Sequence, residues 1–273
     1  MPYADINGVS IYHELHGDSG EPLVLVHGYT GDITDWRHQL PVFSSRHRIL
    51  IFDNRGHGRS EAPEDRAAYT VQRMSDDAEA LAAHVGFDRY HLLGHSMGGA
   101  VAQEIALRSP GKLISLTLHS SAPRFDLASN AQLAMWIDFR LQVAEKQGMR
   151  ALAEIEAPLA PPPHMPAERA EETKERLARM SADAFVGAWR GLTEWPGTVD
   201  RLAGITTPTL IIYGDLDAEP LREGAALMAR LIPNSRMEMV PETGHSPQWE
   251  RPELYNAALS SFLARHATSA LAG

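Results

Sequence analysis

Apolar positions along the chain follow two rhythms that alternate. Short continuous runs such as Pro22-Leu23-Val24-Leu25-Val26 and Arg48-Ile49-Leu50-Ile51-Phe52 predict strands buried on both faces. Between such runs the spacing turns helical. Val71, Met74, Ala78, Leu81 and Val85 share one face of a helix predicted over 70–85, and Gly86 stops it. Residues 3–15 alternate weakly about Asn7-Gly8, which predicts an antiparallel hairpin. Trp36 to Phe43 predicts a short helix broken near Pro41. Further strands are predicted at Tyr90–Leu93, at Lys112–Leu118 with Ile114, Leu116 and Leu118 alternating against polar positions, at Thr209–Tyr213 and at Arg236–Val240. Helices follow most of them, over Ala100–Leu107, Leu221–Leu231 and Pro252–His266. With the two hairpin strands this makes an α/β chain with a mostly parallel eight-stranded sheet flanked by helices. Ligands of such sheets bind beyond the carboxyl ends of the strands.

The rhythm changes after Ser121. From 122 to 201 the pattern is helical, with no buried strand. One helix or two are predicted over Leu127–Gln147, a stiff break at Pro161-Pro162-Pro163, then helices over Ala167–Met180 and Asp183–Leu192. The organisation implied is a core domain of residues 1–121 and 202–273 carrying a helical cap, 122–201, packed over the strand ends. The tail from Ala267 to Gly273 is expected to fray.

Composition narrows the function classes. The 273 residues are 44% hydrophobic and 22% charged, ordinary for a chain with a full core. A net charge of −10 argues against nucleic-acid or anionic-membrane partners, which call for a basic face. No run approaches the roughly 20 apolar residues of a membrane span. The start, Met1-Pro2-Tyr3-Ala4-Asp5-Ile6, has no signal-peptide character, so a cytoplasmic protein is expected. There is no cysteine, hence no thiolate nucleophile and no disulfide. No H-x-x-x-H or comparable cluster calls for a metal, and no cofactor is implied. His164, beside the prolines, reads as solvated. The chain is compatible with a monomer or a homodimer.

The candidate chemistry centres on Gly94-His95-Ser96-Met97-Gly98-Gly99, between the run Tyr90–Leu93 and the helix from Ala100. Gly94, Ser96 and Gly98 match the strand–turn–helix pattern that presents a nucleophilic serine. A serine hydroxyl needs a base, and the base an orienting acid. His245, in Glu242-Thr243-Gly244-His245-Ser246-Pro247, follows the last predicted strand and is the candidate base. Tyr213-Gly214-Asp215-Leu216-Asp217 supplies two candidate acids. Asp217 is favoured because it lies further from the strand end and can turn back, whereas Asp215 can brace the turn. An oxyanion would be held by the Met97 N–H and by the Tyr29 N–H in His27-Gly28-Tyr29. His27 is expected to organise that loop and His95 to line the elbow.

These pieces, with Asp53-Asn54-Arg55-Gly56-His57-Gly58-Arg59-Ser60, run in order through nearly the full length. The chain resembles the α/β-hydrolase superfamily, in the branch of small serine esterases, enol-lactonases, cofactor-free haloperoxidases and C–C bond hydrolases. The resemblance implies an α/β-hydrolase fold with a helical cap, Ser96 as nucleophile, Asp217 as acid, His245 as base, and Tyr29 and Met97 as oxyanion donors. It implies a structural turn at Asp53 and Arg55. The dehalogenases and epoxide hydrolases of this fold carry an aspartate at the elbow, so a serine there points away from an alkyl-enzyme ester.

The expected activity is hydrolysis of a carboxylic ester or lactone through an acyl-enzyme, with a small-molecule substrate. The alternatives are C–C bond hydrolysis, perhydrolysis or acyl transfer on the same triad, a cofactor-independent oxygenase using the His–Asp pair, and a non-catalytic receptor for a small hydrophobic ligand. Among the cap residues Met135, Trp136, Phe139, Leu141, Phe185, Trp189 and Trp195, most are expected to pack on the core. Trp136, Phe139 and Trp189 are the candidates to line an apolar substrate pocket.

Overall fold

The computed structural model describes residues 2–125, 131–156 and 165–268. The proline run Pro161-Pro162-Pro163, His164 and the first residues of the helix expected from Leu127 lie outside them, as does the tail beyond Thr268.

Eight strands form one sheet: β1 Tyr3–Ile6, β2 Val9–His16, β3 Glu21–Val26, β4 His47–Phe52, β5 Tyr90–His95, β6 Leu113–His119, β7 Thr209–Gly214 and β8 Ser235–Val240. Their order is β1-β2-β4-β3-β5-β6-β7-β8. β2 is antiparallel to β1 and β4, and every other pairing is parallel. At the hairpin, Asn7 (φ 51°) and Gly8 (φ 75°) take the two left-handed positions of a tight turn whose twist matches the strands.

Alternate side chains of the central strands enter two different cores. Val24, Val26, Leu50 and Phe52 pack on one face, with α2 Val71–His84 and α3 Met97–Arg108. Leu23, Leu25, Ile49 and Ile51 pack on the other, with α1 Leu40–Phe43 and, at the end of the chain, Pro252–Arg265. Burying such a side chain contributes about 1.5–3 kcal/mol, which is why these runs carry no polar position. β6 departs from its predicted alternation: it is buried throughout, and Ser115 is accommodated by a 2.7 Å hydrogen bond to His91 Nδ1. The helix expected over 36–43 is also different. A 3₁₀ turn ends at Trp36 and α1 starts at Leu40, because Pro41 sits in the first turn, where no N–H is needed, and so opens the helix.

Between β6 and β7 the described segments are helical: α4 Ala131–Gln147, α5 Met149–Glu156, α6 Ala167–Arg179 and α7 Ala182–Thr193. α5 has no counterpart among the predicted elements. Gly148 (φ 87°) separates it from α4. These helices share a third core of Val143, Leu152, Leu177, Phe185 and Val186, against which Tyr29 packs. The chain then continues through β7, α8 Glu219–Leu231, β8, α9 Pro247–Glu250 and α10 Pro252–Arg265. From β3 the connection to β4 runs one way across the sheet and β5 lies on the other side. The crevice above β3 and β5 is therefore the switch point at which this architecture binds ligands. Among the described residues no helix is long and apolar enough to cross a membrane.

Candidate active site

Ser96 stands between β5 and α3 with φ 52° and ψ −113°, a conformation costing about 1–3 kcal/mol for a residue with a side chain. Its surroundings fix it there. Its N–H donates to His119 O (2.9 Å), and its carbonyl accepts from Gly99 N (2.9 Å) and Ser121 Oγ (2.8 Å). The two flanking glycines answer to packing. A Cβ on Gly94 would lie 2.1 Å from Gly98 O, and one on Gly98 would lie 2.3 Å from Val26 O. The spacing of the motif is thus the condition for strand, turn and helix to close on β3.

The loop after β3 reaches the same place. A Cβ on Gly28 would sit 3.1 Å from Ser96 Cβ. His27, fully buried, braces this loop: its Nε2 accepts from Asn54 N (2.9 Å), so the proton is on Nδ1, which donates to Gly28 O (2.8 Å). Tyr29 follows, with its hydroxyl donating to Phe185 O (2.9 Å) of α7. Burial pushes that phenol's pKa well above its ordinary value. Met97 opens α3, and the first turn of a helix leaves its N–H groups without intrahelical acceptors.

His245 and Asp217 meet across the ends of β7 and β8. His245 Nδ1 lies 3.0 and 3.1 Å from the two carboxylate oxygens of Asp217. Asp215 turns elsewhere, accepting from Thr243 N (3.1 Å) and so tying the two loops together. The residues on either side of His245 are held by one carboxylate: Glu250 accepts from Gly244 N (2.8 Å) and Ser246 N (3.0 Å). His95, next to Ser96, donates from Nε2 to His245 O (3.0 Å), and the two rings lie 4.9 Å apart. That contact brings the His–Asp pair beside the elbow.

Electrostatics single out one of the neighbouring histidines. The protein crowded around His245 disfavours its imidazolium, but the Asp217 charge and hydrogen bond, helped by Glu250 and Asp35, outweigh this and raise its pKa. Burial alone would raise Asp217; the facing His245, with Ala218 N–H and His95, brings it below its usual range instead. Burial, with the His245 charge beside it, pushes His95 down to about 3, and His119, stacked on it at 4.4 Å, falls well below its ordinary value for the same reason. Asp53 is also buried but serves the backbone, accepting from Ile33 N and Arg59 N (both 2.8 Å). Arg55 makes a buried two-point pair with Asp77 (2.6 and 2.8 Å).

The aromatic residues between β6 and β7 separate into different places. Trp189 packs on Tyr29 (5.4 Å) and lines an open groove of about 640 Å³ together with Phe125, Leu141 and Trp195 and the charged Asp138, Arg190 and Glu194. Trp136 and Phe139 stack on each other (5.6 Å), with Phe139 43% exposed. Met135 is exposed; Phe185 is buried in the third core, and Trp195 is buried with its Nε1–H donating to Glu104 (2.7 Å). Sequence reasoning missed Glu250, which holds the His245 loop, and a buried ionic cluster of Asp35, Arg169 and Arg176 nearby. The repeat of Arg169 and Arg176 seven residues apart on one face of α6 was the available signal. Among the described residues no group of three or more His, Asp or Glu side chains is arranged to hold a metal ion.

Comparison with known proteins agrees with this architecture. The family model described as alpha/beta hydrolase fold matches residues 21–252. A putative carbamate hydrolase RutD of Azorhizobium caulinodans is 28% identical over 267 residues, covering 96% of this chain and 98% of its own. A Nitrososphaera gargenis structure from a study of carboxylesterases superposes with a TM-score of 0.85 at 27% identity, covering 97% of this chain and 98% of that one. The enol-lactonase of Burkholderia xenovorans shares the fold, with a TM-score of 0.84 at 23% identity over 96% of this chain and all of its own. With a sheet of this order, and a family match that runs from β3 to the start of α10, the chain belongs to the α/β-hydrolase family and is a hydrolase of that fold.

Proposed function

We propose that the protein hydrolyses carboxylic esters or lactones through an acyl-enzyme on Ser96. His245 Nε2 takes the Ser96 hydroxyl proton as the oxygen attacks the carbonyl carbon. The tetrahedral oxyanion is held by the N–H groups of Tyr29 and Met97, with the dipole of α3 behind the second. The carbonyl re-forms as the C–O bond to the leaving alcohol breaks, and His245 returns its proton to that alcohol. Water then repeats the sequence on the acyl-enzyme and frees the acid. Asp217 keeps the proton on Nδ1 of the resting imidazole and stabilises the imidazolium. Residues 122–201 act as a cap, and Trp189, packed on Tyr29 at 5.4 Å, is a candidate pocket residue together with Trp136 and Phe139.

The observation that carries this reading is the two-point hold of Asp217 on His245 Nδ1, beside a serine kept at φ 52°. The names of the curated relatives favour a second substrate class, carbamates, whose carbonyl would be attacked in the same way with an amine leaving. A fluorophosphonate probe followed by peptide mass spectrometry tests the nucleophile. The adduct is expected on Ser96, with Ser96→Ala folded, unlabelled and slowed by several orders of magnitude. A wild-type enzyme that stays unlabelled while turning over p-nitrophenyl esters would refute the mechanism. Esters, lactones, carbamates and diketones assayed side by side separate the substrate classes.

A further inference from the structure

Behind the proposed site lies a buried group of charges that the mechanism does not use. Asp35, 5% exposed at its side chain, follows the loop that carries Tyr29. Its Oδ1 accepts from two arginines of α6: Arg169, itself 5% exposed, and Arg176 at 2.8 Å. Arg169 also donates to Thr34 Oγ1 (3.1 Å), and Arg176 to Asp32 (3.2 Å). The other carboxylate oxygen of Asp35 faces Gly31: a Cβ there would lie 2.4 Å from it. Gly31 closes the turn around Tyr29, its N–H donating to Gly28 O (3.0 Å).

The group continues toward His245. The Trp249 indole N–H donates to Asp35 O (3.0 Å), and the Arg169 guanidinium lies 4.2 Å over the Trp249 ring. Trp249 precedes Glu250, whose carboxylate receives the N–H groups on both sides of His245. Hydrogen bonds therefore run from α6 to the segment Asp32–Asp35 that follows the Tyr29 turn, and from Asp35 through Trp249 and its chain neighbour Glu250 to the His245 loop.

Charges cost much to bury and gain it back only when paired in good geometry. Two arginines and two aspartates meet that condition only while α6 lies flat on the loop from Asp32 to Trp36. A hydrophobic contact would let the helix slide; fixed hydrogen-bond directions do not. We propose that Asp35 and Arg169 are positioning residues: they lock α6 onto the core in the one placement that keeps the Tyr29 N–H and the His245 ring in register with Ser96. The proposal rests on the serine mechanism above. It adds that the cap helix sets the rate of acylation as well as the choice of substrate.

The test uses the full-length protein at a temperature well below each variant's melting point. Two quantities are read: kcat and KM on a p-nitrophenyl ester, and the rate of Ser96 labelling by a fluorophosphonate, which needs no cap pocket beyond the reacting centre. Arg169→Gln is expected to slow both kcat and labelling about 10- to 100-fold, the scale for displacing reacting groups by up to 1 Å, with KM changing much less. Arg169→Lys, which keeps a charge for Asp35, recovers part of the loss. Trp249→Phe keeps an aromatic face under Arg169 and leaves the Asp35–Arg169–Arg176 charges paired, while it removes the indole N–H bond to Asp35 O together with part of the ring; as a second variant that strands no charge it is expected to slow labelling in the same sense. Arg179→Gln, at an exposed position of the same helix, leaves both rates unchanged. Folded Arg169→Gln and Trp249→Phe that label at the wild-type rate overturn the proposal and leave the cluster a purely stabilising one, as does a loss confined to KM. Failure of the serine mechanism looks different, since the wild type itself would then go unlabelled.

Discussion

Replacing Asp217 by asparagine tests the electrostatic core of the mechanism with almost no change in shape. The carboxylate is 2% exposed at its side chain, and both of its oxygens face His245 Nδ1 at 3.0 and 3.1 Å. In the transition state of the proposed mechanism His245 is cationic. Its charge is spread over the ring, so the charge centres lie about 4 Å apart, and their attraction is about 4 kcal/mol at an effective dielectric constant of 20. The His245 side chain is 41% exposed, so water screens part of this and the figure is an upper one. About 4 kcal/mol corresponds to about three decades in rate. A second penalty follows from the proton. The side-chain amide introduced by Asp217→Asn would present an N–H₂ toward Nδ1, which favours the tautomer with hydrogen on Nε2, the atom that must be bare to accept from Ser96. The expected outcome is a fall in kcat of about 10³–10⁴, with KM within a few-fold of wild type. The matching change at Asp215 removes only part of one bond to Thr243 N and should cost less than about tenfold, through the loop. Steady-state kinetics on one ester, with circular dichroism on each variant, decides the matter. Asp217→Asn within tenfold of wild type while Asp215→Asn collapses would refute the assignment of the acid.

Two further outcomes follow from the same geometry. On the proposed mechanism His245 acts as a base and must be neutral to do so; its pKa is raised, so kcat/KM should climb with pH through a midpoint above the ordinary 6.5, a limb that Asp217→Asn moves to lower pH. The stability contributed by the raised His245 is complete below pH 6.5 and lost as pH rises through its folded pKa; that of the lowered Asp217 is present above 3.8 and lost as pH falls through its folded pKa. The melting-temperature gap between wild type and Asp217→Asn should therefore be widest between those limits, and a gap independent of pH would contradict the pairing. Elsewhere, Asp77→Ala strands the Arg55 guanidinium, 3% exposed, and should cost about 3–5 kcal/mol in chemical denaturation. A loss below about 1 kcal/mol would mean that the pair contributes specificity and little stability.

How much of this was legible in the sequence depends on the range over which each feature is encoded. The strands were readable because burial on both faces leaves only apolar side chains, as in Leu23 to Val26 and Ile49 to Phe52. The elbow was readable because its spacing is local: Gly94 faces Gly98 across one turn, although Gly98 itself answers to the approach of β3 at Val26. β6 was harder, since Ser115 and Thr117 look like a solvated face until His91 is seen against Ser115. α5 escaped because Gly148 ends one helix and admits another without a change in composition. The choice between Asp215 and Asp217 depends on a turn bonded across 28 residues to Thr243 and His245. The least legible feature was the Asp35–Arg169 pair, 134 residues apart. A charged helix reads as solvated; the seven-residue spacing of Arg169 and Arg176 marks a shared face, and the folded arrangement shows that face turned inward.

If His245 is the base, as proposed, the three histidines around the elbow illustrate how an environment would select it. His95 stacks on His119 (4.4 Å) and meets the His245 ring at a tilt of 43° (4.9 Å). As side chains they are identical, and each is close enough to the next to compete for a proton. Burial removes two from the competition: His95 is held neutral down to about pH 3, and the pKa of His119 lies well below its ordinary value. His245 differs because it faces a carboxylate. Two neutral rings behind it exclude water without adding a positive charge, so the imidazolium formed during attack is stabilised by Asp217 against little opposition. The hydrogen bond from His95 to the His245 carbonyl then makes one neutral ring the spacer between Ser96 and the proposed base. A lysine or arginine at position 95 would put a permanent charge against the imidazolium and reverse the sense of the shift. The polar residue between the glycine and serine of the elbow is thus constrained by charge as well as by size. On the proposed mechanism that constraint comes from the base, 150 residues away, rather than from the serine beside it.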